Sequence, residues 1–355
     1  MREPHTLSID DVVCGLSAFD SIIDARSPSE FAADRLPGAI NAPVLSDEER
    51  ALVGTIYKQQ SGFEAKRIGA ALVARNIARH LETLFANKPR DWAPLIYCWR
   101  GGNRSNSLAT VLSKIGWRPL LLEGGYKKFR QRVILDLQRL PSPLRFNVIA
   151  GRTGCGKSLI LAELAGLGAQ VLDLEALACH RGSVLGRHPA SAQPGQRQFE
   201  TLLWSSLRQF DPARPVYVES ESRRIGTCHV PEALMTAIRA GFCIKVEAPI
   251  DTRVRLLLEH YQHFLEQPAL LHESLGYLTS LHGHETIGRW RALLEAADWN
   301  RLVRELLEQH YDPAYQRSMA RNYARIEEAE SVGLHAPGPE ALRHAAGELL
   351  RIGGT

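Results

Sequence analysis

The chain has 355 residues, 45% of them hydrophobic and 23% charged, with a formal net charge of +4. That composition suits a globular protein with room for more than one core, and no apolar run approaches the roughly 20 residues that a membrane-spanning helix needs. Six cysteines, at positions 14, 98, 155, 179, 228 and 243, form no Cys-x-x-Cys pair, so their spacing supports neither a disulfide framework nor a zinc cluster. The polar start Met1-Arg2-Glu3-Pro4-His5 has no apolar signal core, which predicts a cytoplasmic protein without membrane insertion. The weak positive charge permits a polyanionic partner without requiring one.

Residues 21–26 read as a short apolar strand, and Ser27, Pro28 and Glu30 carry helix-start signals. Pro37-Gly38 marks a turn before residues 39–43, and Ile68, Leu72, Ile77, Leu81 and Leu84 then recur at helical spacing. Leu95-Ile96-Tyr97 is a brief strand that delivers Cys98 at its carboxyl end. The loop Cys98-Trp99-Arg100-Gly101-Gly102-Asn103-Arg104-Ser105 opens a helix whose predicted core face is Leu108, Val111, Leu112 and Ile115, stopped by Gly116. Residues 120–122 make another strand, and Glu123-Gly124-Gly125-Tyr126 turns it. These elements predict a small parallel α/β domain over residues 1–138.

A thiol at a strand end, before small residues and a helix N-terminus, sits where main-chain N–H groups and the helix dipole favour negative charge. Arg100 and Arg104 add positive charge nearby, and all three effects lower a thiol pKa and raise the thiolate fraction needed for attack. An inert strand cysteine is the bland alternative; two glycines, two arginines and Ser105 argue against it. Together with Asp24-Ala25-Arg26, Glu30-Phe31 and Leu36-Pro37-Gly38-Ala39-Ile40-Asn41, the loop resembles a rhodanese domain across about residues 8 to 135, a family whose loop cysteine carries sulfur as a persulfide. Cys98 to Arg104 also has the Cys-x5-Arg spacing of cysteine phosphatases, so oxyanion binding stays open, although Tyr97 stands where those enzymes usually have His.

Pro141-Ser142-Pro143 marks a boundary, and residues 139–249 read as a second α/β domain. Residues 146–150 are its first strand and residues 157–164 the helix after the phosphate loop Gly151-Arg152-Thr153-Gly154-Cys155-Gly156-Lys157-Ser158. Gly151, Thr153, Gly154 and Gly156 place main-chain amides for phosphate oxygens, Lys157 supplies a point charge, and the Ser158 hydroxyl is suited to Mg²⁺. The pattern does not say whether the ligand is a nucleotide or another diphosphate. Residues 171–173 and 216–219 read as further strands with acidic ends at the carboxyl edge of the sheet. Asp173, Glu175, Glu219 and Glu221 are candidate carboxylates, with Glu219 the choice for Mg²⁺ or water positioning; salt bridges from Glu219 to Arg223 or Arg224 are the structural alternative. Cys155 receives no catalytic role. His180-Arg181-Gly182-Ser183 is either a substrate-phosphate contact or a capped turn.

From residue 250 to 355 the pattern is helical. Trp290, Leu293, Leu294, Ala297, Val303, Leu306 and Leu307 trace one apolar face, broken at Asp298-Trp299-Asn300. His282-Gly283-His284-Glu285 offers metal-ligand types without a third spaced ligand and reads better as a solvated loop. Arg317, Arg321 and Arg325 recur every four residues; like charges at that spacing repel, and a tRNA backbone would relieve the repulsion, with a solvated face as the alternative.

The order of the three regions, together with Asp173-Leu174-Glu175-Ala176-Leu177-Ala178-Cys179-His180-Arg181-Gly182-Ser183 and Glu219-Ser220-Glu221-Ser222-Arg223-Arg224-Ile225-Gly226, resembles the bacterial tRNA 2-selenouridine synthases over nearly the whole chain. The resemblance implies a rhodanese-like parallel-sheet domain, a P-loop NTPase-like α/β domain and a helical C-terminal extension. It implies conversion of wobble 2-thiouridine in tRNAs of the Lys, Glu and Gln type to S-geranyl-2-thiouridine with geranyl diphosphate, and then to 2-selenouridine with selenophosphate. On that reading the phosphate loop holds the leaving diphosphate and Cys98 handles selenium as an S-selanylcysteine, with no established cofactor and Mg²⁺ as the candidate ion. The rivals are a nucleotide-dependent sulfurtransferase and a non-catalytic rhodanese docking protein; intact Cys98, Arg100 and Arg104 argue against the second.

Overall fold

The computed structural model describes residues 4–183, 186, 192–323 and 326–354. The chain forms two compact units, Met1–Asp136 with Arg197–Ser205 and Leu137–Gln196 with Ser206–Thr355. Each contains one five-stranded parallel sheet.

In the first unit the strands are β1 (His5–Leu7), β2 (Ile22–Asp24), β3 (Ala39–Asn41), β4 (Leu95–Tyr97) and β5 (Leu120–Leu122), in the order β1-β5-β4-β2-β3. β2 and β4 are buried at every residue, as expected of parallel strands covered on both faces. The helix Pro28–Ala33 starts as its sequence dictates, with Ser27 and Glu30 forming a capping box and Pro28 in the first turn. Two core assignments change. Leu84 lies past the helix Gly62–Glu82 and is exposed, while its neighbour Phe85 is buried against Trp92 at 5.1 Å. In the helix Asn103–Ile115 the inward face is Ser105, Leu108, Ala109 and Leu112, and Ile115 is exposed. A face drawn on large apolar residues missed that Ser105 and Ala109 continue the same i, i+3, i+4, i+7 stripe.

Gly125 opens a 15-residue helix, Gly125–Arg139, where the sequence showed only a turn. Its Phe129 meets Trp204 edge-on at 5.4 Å, and Trp204 Nε1 donates to Asp136 at 2.9 Å. Thr201 Oγ1 donates to Asp34 at 3.1 Å, and Phe199 and Leu203 are buried. The middle of the helix Gln196–Leu207 thus packs as part of the first unit.

The second sheet has the order β12-β11-β6-β8-β7, from β6 (Phe146–Ala150), β7 (Gln170–Leu172), β8 (Val216–Glu219), β11 (Phe242–Glu247) and β12 (Ser331–Gly333); β9 (Arg224–Ile225) and β10 (Cys228–His229) form a separate hairpin. β12 interrupts the region read as helical. With three residues and one buried side chain, Val332, it carries no periodicity to read. The helix Pro339–Gly353 lays Ala345, Ala346 and Leu349 against Ile160, Leu161 and Leu164 of the helix Lys157–Gly166.

A separate helical core holds Phe264, Leu271, Leu275, Trp290, Leu294, Leu302 and Leu306. The apolar face breaks where expected, but Ala297 is exposed at φ 53° and Asp298 caps the next helix, Trp299–Leu306, by accepting from the Arg301 N–H at 3.3 Å. Leu302, not part of the face read from the sequence, is fully buried in this core. Among the described residues no helix is long and apolar enough to cross a membrane.

Candidate active sites

Strand β4 ends at Tyr97, so Cys98 begins the loop at the carboxyl edge of the first sheet. Its buried Sγ accepts hydrogen bonds from the Gly102 N–H at 3.3 Å and from Ser105 Oγ at 3.2 Å. The loop is walled by the segment read only as a turn. Gly125 has φ 57°, and a Cβ there would lie 2.6 Å from the Gly101 nitrogen. The Tyr126 and Lys127 N–H groups donate to the carbonyls of Cys98 and Trp99 at 2.8 and 2.9 Å. Only glycine fits that combination of backbone and space.

The two loop arginines separate in role. Arg100 is exposed, with no ion pair among the described residues. Arg104 is turned to Glu30, with contacts of 2.6 and 3.3 Å; although burial works the other way, that pairing holds the Glu30 carboxyl below its usual range. An arginine matched by a carboxylate offers little charge to an oxyanion, which argues against the phosphatase reading of Cys98-x5-Arg104. Glu30 is visible in the sequence as a capping residue and invisible as the partner of Arg104, 74 positions away. Beneath the loop, buried Arg26 donates to Asp24 at 2.6 Å and to the Asp34 carbonyl at 2.7 Å, and lies 4.0 Å from the centre of the Tyr126 ring.

In the second unit β6 leads into the phosphate loop, and the left-handed Gly154 and Gly156 (φ 83° and 79°) turn it into the helix Lys157–Gly166. Lys157 Nζ donates to the Gly151 carbonyl at 2.8 Å. Burial opposes its charge, but the Cys155, Glu219 and Glu221 side chains around it hold its pKa well above the ordinary value. The loop is anchored by buried Arg253, whose Nε donates to the Thr153 carbonyl at 2.8 Å while its other nitrogens hold Asp312 at 2.5 and 2.9 Å. Neither Arg253 nor Asp312 was singled out, because nothing local in sequence links them to the loop. Cys155 is buried and burial pushes its thiol pKa up, consistent with a packing role.

Glu175, Glu219 and Glu221 bring a carboxylate oxygen each within 4.8 Å of one another. Burial and mutual repulsion push Glu175 up to about 9; burial and Glu221 push Glu219 up to about 7, against the opposing Lys157 charge. Glu219 is 5% exposed and, among the described residues, its Oε1 has no hydrogen-bond partner. Ser158 Oγ donates to Glu175 at 3.4 Å. Asp173 does not join the trio: it caps the helix Leu174–Ala178, accepting from the Ala176 N–H at 2.8 Å. The alternative salt bridges to Glu219 are absent among the described residues, since Arg223 pairs with Glu232 at 2.7 Å and Arg224 donates to the Gly226 carbonyl at 2.9 Å. The His180–Ser183 turn closes over the trio at Gly182, where a Cβ would lie 2.8 Å from Glu221. Arg181 donates to the His260 carbonyl at 2.8 Å and covers the Tyr261 ring at 4.4 Å.

Of the other candidates, Arg317 and Arg321 share a helix with Asp312, which pairs with Arg253 and with Arg152 of the phosphate loop. His282 meets His310 at 2.9 Å at the Gly283 kink inside the helix Thr279–Glu295, not in a loop. His284 and Glu285 are exposed. Arg317 and Arg321 are exposed on the helix Asp312–Asn322, while Arg325 lies outside the described residues.

Residues 10–132 match the model of the rhodanese-like domain, and residues 144–333 match that of the tRNA 2-selenouridine synthase AAA domain. The chain is 37% identical over 272 residues to a tRNA 2-selenouridine synthase of Nitrosomonas europaea, covering 74% of this chain and 68% of the relative. It is 36% identical over 262 residues to one of Alcanivorax borkumensis, covering 71% and 70%. A solved rhodanese-related protein of Thermoplasma volcanium aligns with 36% of this chain and 92% of its own at 18% identity and a TM-score of 0.24. With both domains matched in order and two relatives aligned over about seven-tenths of the chain, the protein belongs to the tRNA 2-selenouridine synthases, a family of tRNA-modifying enzymes.

Proposed function

We propose that this enzyme converts 2-thiouridine at the wobble position of tRNAs for Lys, Glu and Gln to 2-selenouridine through S-geranyl-2-thiouridine. The phosphate loop takes geranyl diphosphate and Cys98 takes the selenium supplied by selenophosphate. In the first step the thiouridine sulfur attacks C1 of the geranyl group, the C1–O bond breaks, and the electron pair leaves on diphosphate. Lys157 and the amides around Gly154 and Gly156 stabilise that charge. In the second step the selenium of selenophosphate, held at the Cys98 loop, attacks C2 of the base, and the C2–S bond breaks with geranyl thiol leaving. Water cleaves the P–Se bond to release phosphate, so selenium stays at the selenide level and no oxidant is needed. The observation that carries this reading is the Cys98 cradle: a buried sulfur that already accepts from Gly102 N–H and Ser105 Oγ is built to hold an anionic chalcogen, a group a simple phosphate-loop hydrolase does not use.

The Glu175, Glu219 and Glu221 oxygens, with the Ser158 hydroxyl, fit a hard divalent cation, and the unpartnered Glu219 Oε1 is the atom such an ion would satisfy. Bound Mg²⁺ would neutralise diphosphate charge. Purified protein given 2-thiouridine tRNA is expected to yield the S-geranyl nucleoside with geranyl diphosphate alone and 2-selenouridine once selenophosphate is added, read by nucleoside mass spectrometry. Dependence on ATP or GTP, with geranyl diphosphate inert, would instead favour the nucleotide-dependent sulfurtransferase.

A further inference from the structure

Next to the phosphate loop, a cavity runs among the helices Ile250–His260, Gln262–Glu266, Pro268–Gly276 and Trp299–Leu306. Its walls include Leu257, Phe264, Leu271, Trp299, Val303 and Leu306. Among the described residues its hydroxyls are those of Thr153, Ser183, Tyr261 and Tyr311, and no charged side chain lines it. One end is the loop itself: Thr153 is part of the lining, and a Cβ on Gly154 would come 2.9 Å from Leu257. The other end reaches the helical core, where Phe264, Leu271 and Leu306 are 4–8% exposed. The slot, about 70 Å³ in this structure, thus lies between the anion cradle and apolar interior, and an isoprenoid chain would enter it by parting the leucine and phenylalanine side chains of its walls.

We infer that this slot receives the isoprenoid chain of the diphosphate bound at the phosphate loop and selects its length, an assignment that rests on the loop holding a diphosphate as proposed above. A nucleoside placed there would bury ribose hydroxyls and base amides against leucine, phenylalanine and tryptophan, leaving polar groups unpaired. A branched hydrocarbon loses nothing by the same burial and gains from every carbon removed from water. The slot also gives the His180–Ser183 turn a place: Ser183 is at the lining, and Arg181 covers the ring of Tyr261, another wall residue. Phe264 and Leu271, which belong to the helical core, set the depth.

Titration calorimetry of the full chain with inorganic diphosphate, dimethylallyl, geranyl and farnesyl diphosphates and GTP tests the assignment. Five further buried carbons, each worth roughly three- to fourfold, predict geranyl binding on the order of 100-fold or more tighter than dimethylallyl. Val303→Trp fills the slot and should bring geranyl diphosphate to within a few-fold of dimethylallyl, with inorganic diphosphate unchanged. Leu271→Ala deepens the slot and should improve farnesyl relative to geranyl diphosphate; it decides the matter if Val303→Trp also loses inorganic diphosphate. An undiminished geranyl preference in Val303→Trp, or an unaltered chain-length preference in Leu271→Ala, overturns the slot while leaving the diphosphate reading intact. GTP binding more tightly than every prenyl diphosphate in the unaltered protein overturns both.

Discussion

Lys157 keeps its charge against burial because three acidic or thiol groups surround it, so its removal should act on the phosphate ligand first. Lys157→Ala is expected to weaken geranyl diphosphate binding at least tenfold, by removal of one charge-assisted hydrogen bond of about 1.5–3 kcal/mol, measured by titration calorimetry. The glutamate trio makes a pH prediction. Glu175 and Glu219 have raised pKa values when folded, so their contribution to stability is present below the ordinary carboxyl value of 4.5 and is lost as pH rises toward about 7 and about 9. Melting with chelator should therefore show a falling temperature across that window, blunted by Glu175→Gln and by Mg²⁺. A flat profile, or an equal fall in Glu175→Gln, would remove the trio from this role. Cys98 and Lys157 were legible because each sits in a contiguous motif whose neighbours specify its setting. Glu30, Arg253 and Asp312 were not, because their partners are brought to them by the fold.

The elements that shape the sites are short and depend on glycine. At Gly125 the φ of 57° and the close approach of the Gly101 nitrogen leave no room for a side chain. Gly125→Ala should cost about 3 kcal/mol by backbone strain and displacement of the cysteine loop, read as a lowered denaturant midpoint; wild-type stability would mean that the loop yields freely. The sequence marked this segment as a turn because Gly-Gly is a turn signal, and the helix behind it was hidden by a charged exposed face, Lys127-Lys128 included. On the helix Asp312–Asn322, Arg317 and Arg321 stand exposed while Met319 is buried. Replacing both by Gln should reduce the slope of log affinity for tRNA against log salt by up to about 0.7–0.9 for each phosphate no longer neutralised. An unchanged slope in filter binding, with the helix retained by circular dichroism, takes these arginines out of the tRNA interface.

The whole molecule was readable as two parallel α/β sheets plus helices, since strand, loop and helix follow one another in the order each motif needs. What escaped was non-local: β12 pairs with β11 across more than eighty residues, and residues 197–205 complete the first unit from a distant stretch of chain. The apolar cavity beside the phosphate loop was not legible either, because its walls come from separate helices. The central claim is that one chain holds two separable chemistries, prenyl transfer at Lys157 and selenium handling at Cys98. The direct test is nucleoside mass spectrometry on Cys98→Ser and Lys157→Ala, each supplied with thiolated or already geranylated tRNA plus selenophosphate, and with geranyl diphosphate for the thiolated substrate. Cys98→Ser should accumulate the S-geranyl nucleoside without 2-selenouridine, whereas Lys157→Ala should fail on thiolated tRNA and make 2-selenouridine from the geranylated one. Selenouridine from Cys98→Ser at the unaltered rate, or equal loss of both steps in Lys157→Ala, would contradict the claim.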